Sequence, residues 1–588
     1  MIKYFLFLIC VAVWFMSCSS ESPAINVAFN KMLDDYYEDG LKLNPLQSTF
    51  DGDNRYNNQF PNTLSDDYRS KLAAYYKNYS GKLSQYIDSD LNDNEKMSKA
   101  VLKWECDINL ERLFFREDLL PINQMWSVNL LIGQLATGTS AQPFNTVEDY
   151  YNWLQRLEGY LEWLASAEER MKEGMQSGYV LPKSLIVKVL PQLKALTVED
   201  PDTNLFYSPV KNFPSTFSEN EKNAMTESYR KLIGERVVPA YKELYHFMSE
   251  DYLAAGRESS GIDGIPDGKA YYQHQIKTYT TTTMTADDIH QLGLAEVSRI
   301  LSEMEKVKTE VGFKGDLKSF FNFVRNKKEL MPFTKPQQVI EHFNAIHEQI
   351  KPHINLLFDL KPETGFIIKR TEAFREKSAS AQYNPGSLDG QRPGVFYVPI
   401  PDATKYNTYR DQSLFLHETI PGHHFQMSLA QENDDLPRFR KTLWYSSYGE
   451  GWALYAESLG KELGLYTDPY QYFGMLGAEM HRAIRLVVDT GIHSKGWTCE
   501  QAIEYSLQNE ALSEASIISE IERYMANPGQ ALSYKIGQLK ILELRHKAEK
   551  ELGKKFDIRR FHHQILQTGC IPIALLEEKI NTWIGNSK

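Results

Sequence analysis

The sequence predicts a mainly α protein of two or more lobes with one small β-sheet. Three observations lead there. Apolar residues recur at helical spacing over long segments, as in Tyr150, Trp153, Leu154, Leu157, Tyr160, Leu161 and Leu164. Only two short runs favour strand, Phe366-Ile367-Ile368 and Val395-Phe396-Tyr397-Val398. A chain of 588 residues also exceeds what one core organises.

The N-terminus reads as a targeting segment. Met1-Ile2-Lys3 is positive, and Tyr4 to Met16 is apolar, the length of a signal peptide and too short to span a bilayer. Ser17-Cys18 resembles a lipoprotein cleavage site, although Phe15 stands where leucine is usual. Residues 1–18 are therefore expected to be a lipoprotein signal peptide. The mature chain is expected to be exported and lipid-anchored at Cys18 in the bacterial cell envelope, periplasm or surface, with no other membrane contact.

Helical spacing predicts helices within 25–43, 64–120, 125–137, 147–178, 182–197 and 221–253. Residues 45–61 and 200–220 read as loops. The glycine-rich stretch 254–269 is the boundary candidate. It divides an N-terminal helical domain, 19–262, from a second domain, 263–588. Thr285-Ala286-Asp287-Asp288 is a capping box that opens a helix to about Val311. Helices over 316–326 and 335–357 follow. Prolines on both sides of Val395–Val398 predict an edge strand, which could pair with an extended peptide. Tyr397 on that strand is a candidate substrate contact. A helix is predicted over 470–491.

Composition narrows the function. A net charge of −12 argues against nucleic acid or an anionic membrane surface as partner. Cys106, Cys499 and Cys570, the cysteines beyond the leader, form no metal-binding pair and no disulfide framework. The 34 Tyr, 29 Phe and 9 Trp suit a cleft that grips peptides or sugars, though a large core accounts for most of them.

The chemistry concentrates in Leu414-Phe415-Leu416-His417-Glu418-Thr419-Ile420-Pro421-Gly422-His423-His424-Phe425-Gln426. Imidazole binds zinc, and a carboxylate beside it can serve as general base. In the usual helical pair the histidines stand four apart. Here the second is His423 or His424. On an unbroken helix the first lies about 120° round from His417, and the second about 10.5 Å along. Pro421-Gly422 offers a remedy, because a bulge there would return His423 to His417. His417 and His423 are thus the expected ligands, with Glu418 as base and His424 behind them or facing substrate. Glu450 follows at a probable helix start in apolar surroundings, where a lone carboxylate is costly unless it meets a cation. It is the expected third ligand. Glu457, seven residues on, would orient a histidine.

His417-Glu418-x-x-Pro421-Gly422-His423-x-x-Gln426, followed by Glu450-Gly451-Trp452-Ala453-x-Tyr455-x-Glu457, resembles the bacterial domain-of-unknown-function family 885. The arrangement is also similar to gluzincin oligopeptidases and carboxypeptidases. The resemblance spans nearly the whole mature chain. It implies a two-lobed helical bundle with a deep cleft, a Zn2+ cofactor, a metallopeptidase domain over 263–588 and short peptides as substrates. The two-residue insertion departs from the gluzincin pattern and leaves His423 and His424 as alternatives. The same likeness implies that Tyr534, with Tyr524 behind it, donates to the oxyanion. In the run 482–493, Arg485 either holds a substrate carboxylate or pairs with Asp489, and His493 could donate to the oxyanion. The competing reading is a surface lipoprotein that binds glycans or peptides without catalysis.

Overall fold

The computed structural model describes residues 25–372, 376, 379–388 and 392–588. The expected signal peptide and Cys18 lie outside the described residues.

The described chain is helical from end to end, with a single three-stranded sheet. Helix α1 (Val27–Leu43) begins after Asn26, whose side chain accepts from the Phe29 N–H. Helices α2 (Asp66–Leu83) and α3 (Asp93–Arg112) fill the segment 64–120. The loop expected over 45–61 contains a short helix, Pro45–Phe50, nucleated by the Asn44 cap and Pro45 at its first position. Helix α4 (Val147–Ser177) is closed by a Thr146 capping box at one end. At the other it stops at Gly178, whose φ of +84° a side chain would resist. Residues 219–255 run on as helix through two π turns. Helix α5 (Gly268–Thr280) precedes α6 (Ala286–Glu310), which opens on the Thr285–Asp288 capping box read from the sequence. Helix α7 (Pro336–Leu357) leads to the sheet.

The sheet holds β1 (Phe366–Arg370), β2 (Gln382–Asn384) and β3 (Gly394–Val398) in the order β1-β3-β2. β3 pairs parallel to β1, with Phe366 opposite Gly394, and antiparallel to β2, with Tyr383 opposite Phe396. This corrects the edge-strand expectation: the strand that carries Tyr397 is central. Pro393 and Pro399 fall just outside Gly394–Val398, so each residue within it keeps an N–H for the ladder. The strands with one open side are β1 and β2, and β2 is one that three residues in a polar stretch did not announce.

After the sheet come α8 (Asp411–Glu418), α9 (His423–Glu432), α10 (Ser446–Ser458), α11 (Pro469–Ser494), α12 (Glu514–Ala526) and α13 (Ser533–Leu552). The cores do not divide at residue 262. Side chains of α1, α2 and α3 share the large core of the C-terminal helices, whereas Ile122 to Tyr252 build a second core around Trp153, Tyr160 and Trp163. No described helix is long and apolar enough to cross a membrane.

Helices α10 and α13 meet through glycine. A Cβ on Gly451 would lie 2.5 Å from the Cα of Gly537, and one on Gly537 would lie 1.8 Å from the Ser447 carbonyl oxygen. Backbone stands where side chains would, so neither position can yield. Gly537→Ala is expected to cost about 3 kcal/mol or more, as overpacking of a close contact does. Urea unfolding measures it; an unchanged midpoint would show that the two helices separate freely.

Candidate metal centre

The centre begins where α8 stops. Pro421 has no N–H to return to His417. Gly422 passes so close that a Cβ would lie 1.9 Å from the His417 carbonyl oxygen. The chain therefore leaves helical geometry at Thr419 and resumes it at His423. The expected bulge is thus a full break between two helices. The broken backbone stays satisfied: the Phe425 N–H donates to the Thr419 carbonyl at 3.2 Å, and the Trp452 indole N–H donates to the Pro421 carbonyl at 2.7 Å.

The break places the His423 ring 4.8 Å from that of His417, with the planes 85° apart. Glu450 comes from the second turn of α10, later in that helix than expected. Its Oε2 lies 3.5 Å from His417 Nε2 and 3.4 Å from His423 Nε2. Two donors about 2.1 Å from one ion, at a tetrahedral angle, stand roughly 3.4 Å apart. All three ligand atoms lie within 4.8 Å of one another. Glu450 Oε2 is buried and accepts no hydrogen bond among the described residues. An orphaned carboxylate oxygen facing two imidazole nitrogens is a donor set that could hold a metal ion, and its nitrogen and oxygen donors fit zinc.

The charges agree. Burial opposes ionisation of Glu450, yet His423 and His417 outweigh it and hold the carboxyl far below its usual range. Burial likewise disfavours imidazolium at His417, but the carboxylates of Glu450 and Glu457 beside it push it up to about 9. The pocket thus attracts positive charge, and a metal ion would displace the proton. His417 Nδ1 sits 2.8 Å from Glu457 Oε1, and Ser413 hydroxyl donates to the other carboxylate oxygen. With Nδ1–H donated to Glu457, the Nε2 lone pair faces Glu450.

Glu418 is 7% exposed, and burial raises its carboxyl above the usual range. The Tyr383 backbone N–H of β2 donates to it. His424 turns away, toward the sheet. Its Nδ1 lies 2.9 Å from the Tyr383 hydroxyl and its ring 4.7 Å from Phe366, and burial drives the imidazole down to about 4. Between the two alternatives, geometry selects His423.

The remaining candidates divide. Tyr534 is half-buried on α13 and near enough to Glu450 to feel its charge, while the Arg485 guanidinium lies 4.5 Å from its ring centre. Arg485 does not pair with Asp489. It donates to Glu520 at 2.9 Å and to the Tyr524 hydroxyl at 3.0 Å, and Asp489 instead takes the Tyr272 hydroxyl at 2.6 Å. Tyr524 spends its own proton on Glu520 at 2.7 Å, so it is scaffold. His493 is fully buried, with Nδ1 accepting from the Ile262 N–H and Nε2 donating to the Tyr524 carbonyl. Both nitrogens are committed, and it cannot serve an oxyanion. Tyr397 is half-buried on the central strand. Sequence reasoning gave no role to Ser413, to Trp452, or to Trp444, whose ring packs 5.7 Å from His423. The indole of Trp452 could have been flagged, since a buried tryptophan N–H needs an acceptor.

Fold and site together define a helical protein with a buried His-His-Glu centre. The chain belongs to the family described as "Bacterial protein of unknown function (DUF885)", whose model matches residues 45–580. A solved structure described as "the putative lipoprotein from Colwellia psychrerythraea" is 27% identical, with a TM-score of 0.85, covering 95% of this chain and 99% of that one. A second, "a putative lipoprotein of unknown function from Shewanella oneidensis", is 20% identical, with a TM-score of 0.75, covering 94% and 99%, and it shares the fold. No curated protein sequence matches this one.

If the centre holds one ion as drawn, purified protein loaded with zinc retains one equivalent by elemental analysis. His423→Ala or Glu450→Ala is expected to lose it, and His424→Ala to keep it. Glu457→Ala should weaken retention about ten- to a hundred-fold in competition with a chelator. Loss on changing His424 but not His423 would reverse the assignment.

Proposed function

We propose that the chain is a zinc-dependent peptidase of short peptides. One observation carries the reading: the orphaned Glu450 oxygen stands at ligand spacing from two imidazoles, beside a buried Glu418. His417, His423 and Glu450 would hold the ion. When bound, zinc supplies Lewis acidity and an open fourth position.

Glu418 follows the first ligand in sequence, and burial, which raises its carboxyl above the usual range, suits it to accept and return a proton. It takes the proton of the attacking water and delivers it to the leaving amine nitrogen. Glu457 and Ser413 keep the His417 ring in place through the cycle. Tyr534, polarised by the Arg485 cation at its ring, is the donor to the developing oxyanion. The open side of β2 offers main-chain groups to an extended peptide beside Glu418, the part first expected of the Val395–Val398 strand.

We place the protein outside the cytoplasm, anchored through Cys18. The leader sequence and the description of both solved relatives as lipoproteins support this.

Digestion of a peptide library, read by mass spectrometry, tests the activity. Glu418→Gln is expected to keep its zinc and lose turnover by about 1,000-fold or more, since it removes a general base in a dry site. Full cleavage by that variant would remove Glu418 from the mechanism. Peptide or glycan binding that persists without zinc, with no cleavage at all, would leave the non-catalytic alternative standing.

Tyr534→Phe offers an independent check. It is expected to lower kcat by about 100-fold with KM little changed, the pattern of a contact made in the transition state. Equal kcat would make Tyr534 scaffold, like Tyr524.

A further inference from the structure

A cavity of about 750 Å³ lies between the two cores, within the size range of small-ligand sites. Its wall includes Trp444, whose ring packs against that of His423, so the cavity adjoins the candidate metal centre. The chain as a whole carries a net charge of −12. The cavity wall reverses that balance, with Arg69, Arg112, Arg116 and Arg257 against Glu105, Glu117 and Asp118.

Most of these charges are spent on one another. Asp118 takes Arg69, Arg116 and Arg170, and Arg257 donates to the carbonyls of Val180 and Gly261. Glu105 accepts the Tyr445 hydroxyl at 2.6 Å, and its burial favours the neutral acid. Arg112, the last residue of α3, is different. Its side chain keeps 58% of its surface while lining the cavity. Its one ionic partner among the described residues is Glu117, reached by Nε at 2.6 Å and Nη2 at 2.5 Å. Glu117 is itself shared with the Tyr271 hydroxyl at 3.0 Å and the Gln275 amide at 3.2 Å. Arg112 Nη1 makes no hydrogen bond among the described residues. The same cavity is lined by Trp104 and Trp126, the latter 59% exposed.

A guanidinium with a free Nη1, in a cavity that indole rings also line, matches a planar carboxylate on an apolar body. We propose that this cavity receives the part of a short peptide beyond the scissile bond, and that Arg112 binds a carboxylate of that peptide. The carboxylate is either the free C-terminus or an acidic side chain. This deepens the peptidase reading and rests on it for the identity of the ligand as a peptide.

The test uses matched pentapeptides: a free acid with one glutamate, its C-terminal amide, the glutamine version, and the form with both changes. Their affinity for zinc-loaded Glu418→Gln is measured by calorimetry, and kcat/KM is measured on the wild-type enzyme. The doubly neutral peptide is expected to bind ten-fold or more weaker than the free acid. Whichever single change reproduces the loss identifies the carboxylate. Adding Arg112→Gln should abolish the preference. The comparison among peptides on the unchanged cavity needs no folding of that variant. Equal binding by all four peptides, no binding by any, or a preference that survives Arg112→Gln would overturn the proposal. Preference in binding without cleavage by the wild type would sustain this site and overturn the peptidase reading. Cleavage without preference would do the reverse.

Discussion

A proline without an N–H and a glycine without a Cβ stand side by side at 421 and 422, and the geometry of the candidate metal centre follows from that pair. An α-helix carried past Glu418 would point His423 about 120° away from His417. The chain instead stops, turns, and starts again with His423 as the first residue of a new helix. Trp452 fixes the turn from the far side through the Pro421 carbonyl, and it lies two residues after Glu450 on the same helix. Glu450 and the clamp on the His417–His423 turn therefore belong to one helix.

That helix is held by close packing. Gly451 and Gly537 let α10 and α13 approach to backbone contact, which sets Glu450 against Tyr534. Three buried carboxylates, Glu418, Glu450 and Glu457, surround two imidazoles. In a dry interior such a group is costly unless a positive charge completes it. Protons complete it in part, which is why His417 is held protonated up to about 9. A divalent ion would complete it better and would leave Glu418 free to move a proton.

The sequence displayed this centre because its parts are close in the chain or chemically conspicuous. His417, Glu418 and His423 fall within one apolar run, and Glu450 is a carboxylate where carboxylates are expensive. Helix α4 and the Thr285–Asp288 capping box were legible for the same local reason. Contacts made by distant segments were not. Arg485 found Glu520 and Tyr524 rather than Asp489, because a neighbouring helix offered stronger partners than its own. His493 looked chemical in sequence, but its two nitrogens hold backbone groups of 262 and 524. The central place of Gly394–Val398 depended on β2, whose three residues carry no pattern until they pair. The choice of His423 over His424 needed the sheet, which takes His424 for itself.

The account stands or falls on where one ion sits. Crystals of zinc-loaded protein, measured on both sides of the zinc absorption edge, locate it directly. The account expects one anomalous peak, bonded at about 2.1 Å to His417 Nε2, His423 Nε2 and a Glu450 oxygen. A peak on His424, or none among these side chains at full zinc occupancy in solution, would contradict it.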